Sequence, residues 1–290
     1  MANILSDCVI AMNVPHTPST SLPISPMNDT EAAPARTWAG GVIRSRMMDG
    51  RTGEPGGFRW RGREVSRLEA LSDAVFGFAI TLLVVSLEVP RTATALFEAM
   101  SGLLVFALCF ALLFLVWFNQ YRFFRRYGLD DTITILLNAV LLFVIVFFVY
   151  PLRFVFAIVV DMALGSRPWR ETLDGVPVLS LSQWPMLMTV FGAGYLAVFL
   201  LFALMHLHAY RLRDVLDLSP DERYATLDNV RESLLNVGIA AVSILLAWLS
   251  GEFGALWAGL MYWTVGPVLG VHAWLSARRR RQVGAEVAPG

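Results

Sequence analysis

The chain has 290 residues, of which 56% are hydrophobic and only 16% are charged, whereas soluble domains carry about a quarter of charged residues. Its mean hydropathy is +0.59 and its formal net charge is zero, so bulk charge gives no indication of a partner. This composition excludes an ordinary soluble domain and predicts a polytopic helical membrane protein. Cys8 and Cys109 are the only cysteines, which excludes a disulfide framework.

The N-terminal extension differs from the rest of the chain. Residues 1–62 are rich in proline, serine, glycine and arginine and have no apolar periodicity. Such a segment cannot bury enough apolar surface to offset the entropy lost on ordering, so we expect it to be disordered. We assign residues 63–277 to a six-helix membrane domain and residues 278–290 to a basic C-terminal tail.

Six apolar stretches follow the extension, each long enough for the roughly 20 helical residues that cross a bilayer core. We predict membrane spans at 71–89, 97–118, 132–157, 185–207, 234–250 and 254–275. The third contains Pro151, where proline can bend or end a helix. No span is convincingly interrupted at its middle, and Cys109 is expected to be a small core residue.

Charge asymmetry orients the six spans. Every basic side chain is arginine, and arginines cluster before span one, after span two, between spans four and five and after span six. With six spans these clusters fall on one side of the membrane, whereas five or seven spans would separate them. The excess of positive charge places that side, and both termini, in the cytosol.

The first span is the most informative stretch of the sequence. It has a charged entry, then no charge between Asp73 and Glu88, and a single hydroxyl, Thr81, near its middle. On a helical wheel one arc of about 100° holds Ala74, Phe78, Thr81, Leu82, Val85 and Val89. The opposite arc holds Phe76, Ile80, Leu83 and Leu87. Both arcs are apolar, so periodicity does not choose which one faces a pore, and the simplest interpretation is that both pack.

Polar side chains inside a bilayer are costly and indicate a functional site by default. Here they gather near the cytosolic ends of the spans: Arg67, Ser72, Asp73, Asn119, Gln120, Arg122 and Asn138. Arg67 and Asp73 point about 120° apart on a helix, so their partners must come from other spans. The group forms either a hydrogen-bonded clasp that fixes helix packing or an ion-binding vestibule.

Other motifs are weak. His206 and His208 are two residues apart and point to different faces of a helix, so we do not expect a metal site. Gly192 and Gly194 indicate close helix contacts rather than a nucleotide-binding loop. The sequence has no phosphate-binding loop, catalytic triad or paired-carboxylate motif. We therefore expect no enzyme activity, no cofactor and no nucleic-acid partner.

One short motif carries a resemblance to a known family. The stretch RLEALSD at 67–73 matches the signature R-x-x-x-F-S-D, with Leu71 in place of phenylalanine. The stretch WFNQYR at 117–122 is similar to W-x-N-H-H-R but lacks both histidines, and Asn138 and Pro151 also fit. Over residues 63–280 the chain resembles the bacterial branch of the lysosomal potassium channel family (transmembrane protein 175).

The resemblance implies an all-α subunit of six transmembrane helices that assembles as a homotetramer in the bacterial inner membrane. Four copies of the first helix would line a central pore that conducts K⁺ passively, with modest preference over Na⁺ and without a T-V-G-Y-G filter. The implied constriction consists of Phe78, Leu82 and Val85, with the Thr81 hydroxyl nearby. Phe78 stands where the family commonly has isoleucine or leucine, so we expect a tighter pore.

Three other functions stay open at this point. A proton-permeable leak could use the same pore. A secondary transporter would require coupled flux and a helix broken at the bilayer midplane. A non-conducting membrane scaffold would need neither.

Overall fold

A computed structural model describes residues 58–62, 65–85, 92–163, 172–173, 176–177, 183–249 and 254–287. Its helices are α1 Arg67–Val85, α2 Ala93–Tyr127, α3 Thr132–Ala163, α4 Trp184–Arg211, α5 Pro220–Leu249, α6 Gly254–Met261 and α7 Val265–Val287. Between α3 and α4, β1 (Thr172–Leu173) pairs antiparallel with β2 (Val176–Pro177), with Leu173 opposite Val176. Residues 1–57, where the sequence predicts disorder, lie outside the described residues.

Among the described residues, five helices are long and apolar enough to cross a membrane, which confirms an all-α membrane protein. These candidate spans are Arg67–Val85, Gly102–Tyr127, Thr132–Val160, Trp184–Arg211 and Pro220–Leu249. Several helices extend beyond the predicted spans, because hydropathy marks only the apolar part of a helix and polar turns continue it. Pro151 does not end α3, which continues to Ala163.

The sixth predicted span, 254–275, is divided into two helices joined by a 3₁₀ turn, so the described residues show five long candidate spans and a short helix. The short helix α6 ends at Met261, a 3₁₀ turn covers Tyr262–Thr264, and α7 begins at Val265. Pro267 explains the break, because it has no N–H to donate to a carbonyl one turn earlier and is tolerated only in the first turn of α7. The Thr264 hydroxyl donates to the Met261 carbonyl over 2.6 Å.

Local capping fixes the end of the bundle at which α1 begins, which we call the Arg67 end. There α2 and α4 also end, and α3 and α5 begin. Ser66 Oγ accepts the Glu69 N–H over 2.9 Å and caps α1. Gly128, at φ 60°, ends α2 by donating its N–H to the Phe124 carbonyl. Asp131 accepts from Thr134 Oγ1 and the Ile133 N–H and so caps α3.

A main apolar core joins the helices, and a smaller cluster of Ile239, Val265 and Leu269 joins α7 to α5. Around the main core, α1 packs against α2 and α3, and α4 packs against α3 and α5. The most deeply buried side chains of the main core include Leu83, Cys109, Phe123, Tyr127, Leu141, Ile145, Phe202 and Met205. The two glycines of α4 make the close helix contacts predicted for them. A Cβ at Gly194 would overlap the Phe148 ring, and one at Gly192 would lie 2.7 Å from Ile244 Cγ1.

Candidate functional site

The helix α1 has one buried face and one exposed face. Phe76, Ala79 and Leu83 are 3%, 0% and 1% exposed, because they pack into the core between α2 and α3. Phe78 and Val85, on the other side, are 55% and 73% exposed. The sequence pattern left the choice between these faces open, and the fold decides it: the Phe76 face packs within the chain and the Phe78 face does not.

The four predicted pore residues differ in their surroundings. Phe78, Thr81 and Val85 are exposed. Leu82 lies at the edge of that face and is partly buried against the core. Thr81 Oγ1 donates to the Gly77 carbonyl over 2.8 Å. The hydroxyl hydrogen is therefore held by the helix itself, and the oxygen lone pairs remain free on the exposed side.

Three of the seven predicted polar residues form one buried network across three helices. The Asn138 amide nitrogen donates to Ser72 Oγ over 2.9 Å, and Ser72 donates to the Leu68 carbonyl over 2.8 Å. Gln120 donates its amide to Asn138 Oδ1. Exposure is 0% for Asn138, 1% for Ser72 and 2% for Gln120. This network ties the start of α1 to α2 and α3, as a clasp would.

The other four residues lie around this network, each in its own surroundings. Asp73 Oδ1 accepts a hydrogen bond from Trp117 Nε1 over 2.7 Å, which is a second link between α1 and α2. Arg67 is exposed and Asn119 is half-buried. The Arg122 guanidinium lies over the Phe118 ring, 6.0 Å from its centroid. This tryptophan begins the WFNQYR stretch at 117–122, but it was not among the polar residues predicted to form the site.

The two histidines of α4 have different partners, in agreement with their predicted opposite directions. His206 Nδ1 lies 2.8 Å from the Phe202 carbonyl oxygen, and its ring packs edge-on against Phe123. His208 Nε2 lies 2.8 Å from Asp131 Oδ2. This second contact joins the end of α4 to the start of α3 and was not predicted.

Asp131 is a carboxylate whose pKa the fold displaces. Burial alone raises the pKa of Asp131, but the hydrogen bond from Thr134 and the charge and hydrogen bond of His208 outweigh it. The pKa therefore lies below its ordinary value. Asp131 stays ionised at neutral pH and holds the turn between α2 and α3.

Sequence reasoning also missed a contact made before α1 begins. Residues 58–62 pack at the Arg67 end, with Phe58 5% and Arg61 8% exposed. Arg61 pairs with Glu222 at the start of α5, 2.8 Å from Nη2 to Oε2. Residues 58–62, which the sequence assigns to the N-terminal extension, thus contact the helices. One feature of the sequence could have indicated the position of Glu222. The stretch Ser219-Pro220-Asp221-Glu222 is a capping box, which places Glu222 in the first turn of a helix.

The chain is similar in sequence to known proteins. The family model described as "Endosomal/lysosomal potassium channel TMEM175" matches residues 67–148, from the start of α1 into α3. A protein named "Potassium channel" from Marivirga tractuosa is 35% identical over 230 residues, which cover 78% of this chain and 93% of the relative. A "Potassium channel" from Chamaesiphon minutus is 32% identical over 96 residues, covering 30% of this chain and 47% of the relative.

A solved structure is similar over the same extent. It is a crystal structure of a threonine-to-alanine variant of the potassium channel MtTMEM175 in complex with a nanobody–MBP fusion protein. The TM-score is 0.68 at 32% sequence identity, and the match covers 78% of this chain and 100% of that chain. The match thus extends over 93% of the Marivirga tractuosa relative and the whole of the solved chain. The chain belongs to the TMEM175 family, a family of ion channels and not of enzymes.

Proposed function

We propose that this protein is a passive potassium-permeable channel, formed by four copies of the chain around a pore that α1 lines. The names of its relatives support K⁺ as the conducted ion. The Arg67 end would face the bacterial cytosol, because the arginine clusters between and beside the helices concentrate there. Lipid bilayer and other copies of the chain are then its partners.

The observation that carries this proposal is the uncovered face of α1. The helix has the family's signature at its start, is clamped by the Ser72–Asn138–Gln120 network, and leaves Phe78 and Val85 exposed. A four-fold arrangement that turns this face inward would bury it against its own copies. Lipid could also cover an apolar face, so conduction is the deciding measurement.

Such a pore would select ions by width and hydration rather than by a carbonyl filter. Rings of Phe78, Leu82 and Val85 offer an ion no charge and no coordinating oxygen, so an ion must lose part of its hydration shell to pass, and a narrow apolar ring can close by dewetting. K⁺ loses water more readily than Na⁺, which favours K⁺ modestly. The Thr81 oxygen is the one polar group among these side chains.

The broken sixth segment does not favour a transporter over a channel. In transporters, broken helices present free backbone groups to substrate near the midplane. Here the break has a local cause in Pro267, and the Thr264 hydroxyl already occupies the Met261 carbonyl. The break in this segment therefore does not indicate the substrate site of a transporter.

The test is ion flux in liposomes that contain the purified protein, with K⁺ and Na⁺ gradients run in parallel. Phe78→Ala should raise the flux, because four phenylalanine rings no longer narrow the pore. Phe143→Ala is the matched control, since Phe143 is 72% exposed on α3 and the substitution is chemically the same. We expect wild-type flux that favours K⁺, an increase for Phe78→Ala and no change for Phe143→Ala.

Each contrary result selects another function. Flux that saturates and depends on a second gradient would make the protein a transporter. Flux of protons without K⁺ would make it a proton leak. No flux of any cation from correctly assembled protein would leave a scaffold. K⁺ flux that Phe78→Ala does not increase would keep the channel and move its constriction elsewhere.

A further inference from the structure

A buried ion pair lies directly before the proposed pore helix. Arg61 Nη2 is 2.8 Å from Glu222 Oε2, and Nη1 is 3.2 Å from Oε1. The two side chains are 9% and 2% exposed. Glu222 also accepts the Ser219 N–H over 2.9 Å and so completes the capping box of α5. The pair thus joins the segment before α1 to the start of α5.

The same arginine bonds the linker between α4 and α5. Its Nε donates to the Leu216 carbonyl over 3.0 Å, and its Nη2 donates to the Asp217 carbonyl over 3.2 Å. The backbone N–H groups of Arg61 and Gly62 both donate to the Arg125 carbonyl at the end of α2. Residues 58–62 therefore bridge α2, the linker and α5.

This bridge is closely packed as well as bonded. A Cβ added at Gly62 would lie 2.6 Å from the Phe124 carbonyl oxygen, and one at Gly128 would lie 3.2 Å from the Arg61 backbone. The Phe58 ring packs edge-on against Tyr127, with centroids 5.6 Å apart. Contacts on all these sides fix the position of residues 58–62 relative to the helices.

A buried ion pair is weak evidence for stability, since an apolar pair of similar volume often serves as well. Its value lies in fixing geometry, because two directional charged partners specify one arrangement. Only residues 63–66 separate Gly62 from the first residue of α1. A displacement of the bridge would therefore be transmitted to the start of that helix.

We propose that Arg61 and Glu222 are positioning residues for the pore helix, which tie the start of α1 to α5 and hold the four copies of α1 apart at the Arg67 end. This inference rests on the proposed channel. The exposed faces of α1 are apolar and attract one another across a pore. The pair opposes that attraction, so loss of the pair shifts the channel towards its closed state.

Glu222→Gln is the cleanest test, because glutamine also serves in a capping box, while the variant removes the charge and one of the two oxygens that accept from Arg61. Asp214→Asn is the matched control: it also turns a carboxylate into an amide, in the linker between α4 and α5, but Asp214 is 70% exposed in its ion pair with Arg223, and such a pair contributes little. In single-channel recordings we expect Glu222→Gln to lower open probability roughly threefold to tenfold with unitary conductance unchanged. Asp214→Asn should match the wild type.

Arg61→Gln should repeat the loss of open probability, and Arg61→Lys should restore part of it, because lysine keeps the charge but not the two parallel bonds. A general loss of folding would instead reduce the yield of assembled protein without changing the open probability of the channels that form. Unchanged open probability in Glu222→Gln, or equal effects of Glu222→Gln and Asp214→Asn, would overturn the proposal.

A second readout does not depend on conduction. Backbone hydrogen exchange at residues 65–70, the start of α1, should quicken in Glu222→Gln and stay unchanged in Asp214→Asn. If the wild type fails to conduct, the proposed function is wrong, and quicker exchange still supports the tie to α1. Unchanged exchange in both variants would show that the pair does not position this helix.

Discussion

Asn138 Nδ2 lies 2.9 Å from Ser72 Oγ, so a side chain of α3 and a side chain of α1 share a hydrogen bond away from solvent. The same amide accepts from Gln120 of α2 through its oxygen. An amide that donates to one helix and accepts from another fixes the rotation of both relative to its own. The exposed face of α1 is therefore set by Asn138 as much as by apolar packing.

Asn138→Ala should destabilise the subunit, because it leaves Ser72 and Gln120 buried with one partner fewer each. Each lost buried partner costs about 1–3 kcal/mol, so the two groups give a total loss of roughly 2–6 kcal/mol. Thermal unfolding of the detergent-solubilised protein measures this change. Ser72→Ala should cost less, since Asn138 still accepts from Gln120.

Asn119→Ala is the matched control for this prediction. Asn119 is half-buried on α2 next to Gln120, and within the described residues it makes no hydrogen bond to the network. Its substitution should change unfolding by less than about 0.5 kcal/mol. Equal losses for Asn119→Ala and Asn138→Ala would mean that the network does not hold the helices together.

The part of the fold that sequence predicts well is the part that composition determines. A membrane-spanning helix must satisfy its own backbone and present apolar side chains, so α1 to α5 could be found from hydropathy alone. The sixth segment is as apolar as the others, yet Pro267 divides it. Its division depends on backbone hydrogen bonding, which a hydropathy window does not detect.

The part of the site that could be predicted from the sequence is the part whose residues share one depth in the membrane. Ser72, Gln120 and Asn138 could be grouped because their depths in successive spans agree. The pairing of Arg61 with Glu222 joins residues 161 positions apart, and no periodicity relates them. Likewise, the choice between the two faces of α1 required the neighbouring helices, because both faces are apolar.

The pair of Asp131 and His208 predicts a pH dependence of stability. The pKa of Asp131 lies below its ordinary value of 3.8 because the Thr134 hydrogen bond and His208 outweigh its burial. The folded state thus favours the ionised carboxylate. The stabilisation is fully present above pH about 4 and is lost as pH falls through the lowered pKa.

Asp131→Asn isolates this charge, because asparagine remains a good helix N-cap. The difference in unfolding free energy between wild type and Asp131→Asn should shrink as the pH falls below about 4. Asp214→Asn is the control, since Asp214 is 70% exposed in its ion pairs. A difference that persists undiminished to pH 2 would show that the charge of Asp131 is not its source.

The Thr81 hydroxyl provides the last prediction, which concerns selectivity rather than stability. Its hydrogen is held by the Gly77 carbonyl, 2.8 Å away, so the oxygen can only accept or coordinate from its exposed side. In a four-fold pore this gives one ring of four oxygens among apolar side chains. An oxygen ring can replace part of the water that an ion loses, and its spacing decides which ion benefits.

Thr81→Val removes the oxygen and nearly preserves the volume, so the pore width should stay the same while the permeability ratio of K⁺ to Na⁺ falls. A contact worth about 0.5–1.5 kcal/mol corresponds to a change of roughly twofold to tenfold in that ratio. Thr81→Ser keeps the oxygen and should keep the ratio. Reversal potentials in mixed K⁺ and Na⁺ solutions measure it, and a serine variant that behaves like the valine variant would assign the effect to the lost methyl packing instead.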